Sequence, residues 1–159
     1  MSLYTHKRAD NVKWVIAFVL IAVLLVGMAV MALKISDEDS TLSVSRFDWE
    51  IGGIDSDTGE ECGWRSSIRM KKAVTVDGLD ITVAEDSEII YSVYFFTINE
   101  DGEEVFLSSL LYIEEDFDAT TIPENAELCR VTISHVYDPE INFYEIGKYV
   151  EQISIVYNK

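Results

Sequence analysis

The chain has 159 residues, with 12 Lys and Arg against 29 Asp and Glu, for a formal net charge of -17. So few cations exclude a general nucleic-acid binder, whose phosphate contacts need Lys and Arg. Yet 48% of the residues are hydrophobic, too many for an evenly acidic globule, so the apolar residues must be concentrated somewhere.

They are concentrated near the N-terminus. Residues 14–33 read WVIAFVLIAVLLVGMAVMAL, an uncharged run in which only Gly27 falls outside the hydrophobic set. At about 1.5 Å per residue, such a helix covers roughly the 30 Å of a bilayer core. The run is longer than the apolar core of a cleaved signal peptide and has no polar face for a buried globular helix. It predicts a transmembrane helix over 14–33. Lys7, Arg8 and Lys13 precede it; Lys34 and then Asp37, Glu38 and Asp39 follow it. Positive flanks stay inside, so residues 1–13 are expected in the cytoplasm. The remainder is expected outside, on a single-pass cell-membrane protein whose expected partner is the bilayer. Residues 34–45, Ser-rich and acidic, read as a tether. Residues 46–159 are long enough for one domain.

That domain reads as mostly β. Runs rich in β-branched and aromatic residues predict strands over Arg46–Ile51, Ser67–Lys71, Leu79–Val83, Ile89–Ile98, Val105–Ile113, Leu128–His135, Ile141–Tyr144 and Val150–Tyr157. Turn sequences separate them: Asp57-Thr58-Gly59, Asp77-Gly78, Asn99 to Gly102, Pro123-Glu124-Asn125 and Asp138-Pro139. Short strands at this spacing predict a jelly-roll-like antiparallel β-sandwich, preceded by the membrane helix. In Ile89–Ile98, Tyr91, Val93 and Phe95 point one way and Ile90, Tyr94 and Phe96 the other. Both faces are apolar, so either both are covered or one is an aromatic binding face.

The sequence carries no recognisable catalytic constellation, and no enzyme is expected. There is no G-x-S-x-G or H-E-x-x-H. Cys129 and His135 share one strand, and six residues along a strand is about 20 Å, beyond a Cys–His hydrogen bond. Asp55-Ser56-Asp57-Thr58-Gly59-Glu60 is oxygen-rich, but its glycine falls one place early for a helix–loop–helix calcium loop. A hairpin turn is the better reading. No cofactor or metal ligand is assigned, with structural calcium left as an alternative. Cys62 and Cys129 both lie in the outer part. They could pair as a disulfide in an oxidising compartment, or remain free, with Cys129 alternating with Val131 and Ile133 as a core residue.

The aromatics remain. Trp49, Trp64, Tyr91, Tyr94, Phe96 and Tyr112 could form a sugar-stacking platform, with Arg65 or Arg69 as polar partners. Core packing is the competing role for each. Trp64, in the turn-like CGWRSS stretch, is the best candidate for exposure. Candidate ligand residues are therefore Trp49, Trp64, Arg65, Arg69, Tyr94 and Tyr112.

The stretches YSVYFFTINEDGEEVFLSS and FDATTIPENAELCRVTIS, with SIRM upstream, resemble a segment of phage and prophage structural proteins of Firmicutes. There a Y-x-V-x-F-Y-D strand meets an N-G-x-F turn, and an I-P-x-x-A-x-Y-x-R-I-x-I strand closes the sheet. The whole chain, from HKRADNVKW through WEIGGID to EIGKYVEQISIVYNK, resembles small prophage-region membrane proteins of gut Clostridia. The resemblance implies a carbohydrate-binding-like jelly roll and a cell-surface setting, and none of its motifs is catalytic. The two cysteines depart from that pattern. The expected function is a membrane-anchored outer binding module for surface or cell-wall glycan. The alternative is a prophage-encoded structural protein that binds a protein partner and no small ligand.

Overall fold

A computed structural model describes residues 41–135 and 140–159. The expected cytoplasmic segment, the membrane helix over 14–33, most of the tether and the Asp138-Pro139 turn lie outside the described residues. Among the described residues no helix is long and apolar enough to cross a membrane.

The folded unit begins at Thr41. Its strands are β1 (Thr41–Ser43), β2 (Trp49–Ile51), β3 (Gly53–Ile54), β4 (Glu61–Cys62), β5 (Ser67–Met70), β6 (Val74–Thr75), β7 (Asp80–Val83), β8 (Ile89–Ile98), β9 (Glu104–Ile113), β10 (Leu128–His135) and β11 (Ile153–Asn158). One short helix, α1 (Ile146–Val150), precedes β11. The large sheet runs β2-β5-β10-β8-β9, with β6 also on β10; the small sheet runs β1-β11-β7; β3 and β4 form a separate hairpin. Every pairing is antiparallel.

Period-two alternation builds the core. From the large sheet come Trp49, Ile68, Met70, Tyr91, Val93, Phe95, Cys129, Val131 and Ile133. Ile81, Ile153 and Ile155 of the small sheet join the same cluster, as do Ile146, Tyr149 and Val150 of α1. The result is a sandwich-like pair of sheets, closed at one side by α1. The chain passes between sheets repeatedly: β5 is in the large sheet, β7 in the small, β8 to β10 in the large, and β11 in the small. Between β9 and β10 the chain returns to the small sheet without forming a strand. There Phe117 N–H donates to the Ile81 carbonyl at 2.9 Å, and the Asp116 carboxylate accepts from Val83 N–H at 2.9 Å.

Several expected boundaries move. Thr41–Ser43, within the expected tether, pairs with Val156–Asn158 as an edge strand, and Val44 N–H reaches the Ile155 carbonyl at 3.0 Å. Residues 46–48 form a 3-10 turn instead of extending β2. Ser45 accepts from Phe47 N–H, and Asp48 accepts from Ser45 N–H, a reciprocal cap that closes the turn. Ile141–Tyr144 is no strand: Asn142 caps a 3-10 turn over Phe143–Glu145. Val150 ends α1, so the last strand starts at Ile153.

Candidate functional site

The outward face of the large sheet is where chemistry is accessible. One part lies under the β3–β4 hairpin. Ile54 packs there on Tyr94 and Phe96, with Phe106 and Leu128 alongside. The loop between these strands is held by the Asp55 carboxylate, which accepts from Asp57 N–H, Thr58 N–H and the Thr58 hydroxyl at 3.0, 3.0 and 3.1 Å. Those donors hold the Asp55 carboxyl below its usual range. The oxygen-rich stretch is thus a hairpin loop whose leading carboxylate serves its own turn. Among the described residues no cluster of three His, Cys, Asp or Glu side chains is placed to hold a metal ion.

Arg69 fastens the hairpin down. Its Nε donates to Glu50 at 2.9 Å and its Nη1 to the carbonyls of Gly53 and Cys62 at 3.1 and 3.0 Å, while Nη2 meets Glu50 and Glu61, each at 2.8 Å. Glu61 also takes Arg130 Nη1 at 2.6 Å. Gly52 has φ +148°, and a Cβ there would lie 2.7 Å from Arg69 Nη1. A side chain at position 52 would therefore displace the guanidinium.

Beyond the hairpin the same face opens into a concavity of about 280 Å³. Its floor comes from Ser67, Ser92, Tyr94, Thr132 and Ser134 on β5, β8 and β10. The register places Thr132 opposite Ser92 and Arg130 opposite Tyr94, which brings these hydroxyls into neighbouring rows. Burial pushes the Tyr94 pKa up, against the lowering effect of the Thr132 and Ser92 side chains. Trp64 and Tyr112 stand at the walls, 52% and 72% exposed. Trp64 lies against Gly53, where a Cβ would come within 2.6 Å of its ring. Tyr112 sits in a β-bulge, because Leu111 and Tyr112 together face Ser92. Its φ is +59°, the left-handed region, and its N–H donates to the Ser92 hydroxyl at 3.2 Å. A bulky residue there costs about 1–3 kcal/mol, a strain that gathers at functional sites.

The structure therefore brings Trp64, Tyr94 and Tyr112 to one concavity and separates the other three candidates from it. Trp49 pairs with Met70 and points into the core, 3% exposed. Arg65 is exposed beside a different hollow, with Ile51, Ile141 and Phe143. Arg69 is engaged by the hairpin. Tyr91 is a core residue whose hydroxyl donates to the Glu115 carbonyl at 2.9 Å. Phe96 lies under the hairpin. Of the two readings of the cysteines, the structure has the unpaired one: both are free thiols. Cys129 is in the core, while Cys62 belongs to the hairpin over the opposite face, so the large sheet separates them. Burial pushes the Cys129 thiol up to about 12. The floor hydroxyls had a signal that went unread: Ser92 interrupts the apolar IIYSVYFF run, and Thr132 and Ser134 interrupt VTIS on the same parity.

No protein-family model, curated protein or solved structure matches the chain.

Proposed function

We propose that the domain is a membrane-anchored outer binding module for glycan, with the concavity of Trp64, Tyr94 and Tyr112 as its sugar site. The observation that carries this reading is two exposed aromatic rings flanking a floor of serine, threonine and tyrosine hydroxyls. Sugar C–H faces stack on aromatic rings, while sugar hydroxyls need fixed donors and acceptors. No Asp, Glu, Lys or Arg lines the concavity, although the domain is strongly acidic, and the lining His135 meets Glu88 at 3.1 Å. The ligand that fits is an uncharged sugar. The volume lies just under the roughly 300–1,000 Å³ of pockets for drug-sized ligands, which suits one ring and part of its neighbour.

The topology supports a jelly-roll reading. The β5-β10-β8-β9 order faces β1-β11-β7, and the Asp116–Phe117 stretch stands where a fourth strand of the small sheet would lie. The apolar run over 14–33 and its charged flanks support anchoring, with residues 1–13 in the cytoplasm and the domain outside. The resemblance to small prophage-region membrane proteins fits this setting. The alternative, a protein partner, draws on exposed Val105, Leu107 and Leu111 of edge strand β9. Two bulges in β9 blunt that edge for strand addition.

A glycan array with residues 41–159 tests the sugar site. Binding to neutral glycans, lost in Trp64→Ala and Tyr112→Ala, is expected. No binding to any sugar, or binding untouched by both substitutions, overturns it.

A further inference from the structure

A second surface, remote in composition from the sugar site, has its own chemistry. Phe47, Phe143 and Tyr144 are 71%, 68% and 91% exposed, with Tyr112 the most exposed large hydrophobics among the described residues. They line one groove together with Arg46, Lys71 and Gly147. Exposed apolar residues scattered singly are ordinary, but a grouped set marks an interaction surface. The grouping is built by two capped 3-10 turns. Ser45 and Asp48 close the turn that carries Arg46 and Phe47, and Asn142 closes the turn that carries Phe143 and Tyr144. The side chains are braced as well. Arg46 stacks over the Phe47 ring at 4.8 Å, Lys71 Nζ donates to the Phe47 carbonyl at 2.7 Å, and Phe143 meets Tyr144 edge-on at 6.0 Å.

This surface gathers cations that are scarce in its domain. Residues 35–159 hold 8 basic and 28 acidic side chains. Arg46 and Lys71 line the groove and Lys72 flanks it, three of those few cations. Three acids stand beside them: Asp48, which accepts from Ser45 N–H, Glu145 on the second turn, and Glu140, which shares a hollow with Phe143. Aromatic rings beside cations are the pairing found at a membrane–water interface, where the rings sit at headgroup depth and the cations meet lipid phosphates.

Chain length says which surface is in reach. Arg46 and Phe47 lie a few residues from Thr41, where the folded unit starts. The apolar run ends at Leu33, and the seven residues between extend at most about 25 Å. A weak surface contact held that close acts at high effective concentration.

We propose that Phe47, Phe143 and Tyr144, with Arg46, Lys71 and Lys72, dock the domain on the lipid bilayer that holds the 14–33 anchor, at the level of its anionic headgroups. This rests on the anchoring reading.

The test is hydroxyl-radical footprinting of the full chain in phosphatidylglycerol-containing bilayer discs. Oxidation of Phe47, Phe143 and Tyr144 should fall at least about threefold relative to residues 41–159 free in solution, a drop that interfacial burial implies, while Trp64 and Tyr112 keep their free-domain levels. Arg46→Glu with Lys71→Glu should restore oxidation of the three rings in discs. Equal oxidation in discs and in free solution overturns docking. Equal protection in uncharged detergent micelles also overturns it, because the cover then needs no anionic headgroup. Retention after alkaline carbonate reads the anchor separately. If carbonate releases the chain, anchoring fails, and protection by added discs still decides the docking surface.

Discussion

Tyr112 combines backbone strain with exposure, and the two can be separated. Glycine adopts φ +59° without the Cβ clash. Tyr112→Gly is expected to stabilise the domain by about 1 kcal/mol in urea unfolding, through relief of strain, and to abolish sugar binding. Lower stability together with intact binding would mean that the ring serves packing. The cysteines give a second residue-scale prediction. With its pKa pushed up to about 12, Cys129 stays protonated at pH 8, and its thiol should react with Ellman's reagent only after unfolding. Cys62, half-buried with a pKa raised by burial, should react slowly in the native domain. An intact mass two hydrogen atoms short of the reduced chain would contradict two free thiols.

At the scale of elements, the β3–β4 hairpin decides whether the concavity exists. It covers Tyr94 and Phe96, supplies Gly53 and Ile54 to the concavity, and backs Trp64. Arg69 holds it through two carbonyls and two carboxylates, so its loss leaves several partly buried acceptors unpaired. Arg69→Met should cost about 2 kcal/mol, the scale of charge-assisted bonds, and weaken sugar binding although Arg69 touches no sugar. Gly52→Ala acts on the same guanidinium. The two substitutions should therefore be non-additive by about 1 kcal/mol or more in a double-mutant cycle. Additive costs would detach Gly52 from Arg69. The hairpin loop also has a pH signature. Asp55 titrates below its ordinary value because three donors favour its ionised form. Its contribution is present above the unfolded-chain pKa and is lost as pH falls through the lowered folded value. The Thr58 amide should thus shift with a midpoint under 3.8 in an NMR titration; a midpoint above it would dissolve the Asp55 turn.

For the whole molecule, the relevant boundary is Thr41. The core draws on residues from Val44 to Ile155, so residues 41–159 should fold without the preceding chain. Starting at Arg46 instead removes β1 and exposes the β11 edge. That truncation should lower urea stability by about 1 kcal/mol, the scale of a lost short edge strand with one half-buried apolar side chain. Equal stability would return 41–45 to the tether. On the proposed reading the two surfaces divide the domain's work: the concavity takes a neutral ligand, and the aromatic surface with its cations meets lipid. The acidic remainder repels anionic polymers and anionic lipid alike, within a Debye length of about 8–10 Å, so the contact depends on the rings and cations of that one surface.

Much of this was written in the sequence, where local physics decides. The long strands Ile89–Ile98 and Leu128–His135 match their expected bounds because alternation and β-branched content are local properties of the chain. The mostly β character and the Asp55–Gly59 turn are legible for the same reason. Tyr94 and Tyr112 could be named as candidates from composition. Which aromatics share a site could not, because that depends on register. Trp49 is apolar, aromatic and near a turn, like Trp64, yet pairing with Met70 turns it into the core while the loop after β4 leaves Trp64 outside. The short strands β3, β4 and β6 have too few residues to show a period and exist only through their partners. Thr41–Ser43 reads as polar linker until β11 lies beside it. The disulfide likewise turned on tertiary structure, because one sheet stands between two thiols that the sequence only counts. Composition and alternation set an acidic β domain behind an apolar run; strand register, bulge and hairpin packing decided which side chains meet.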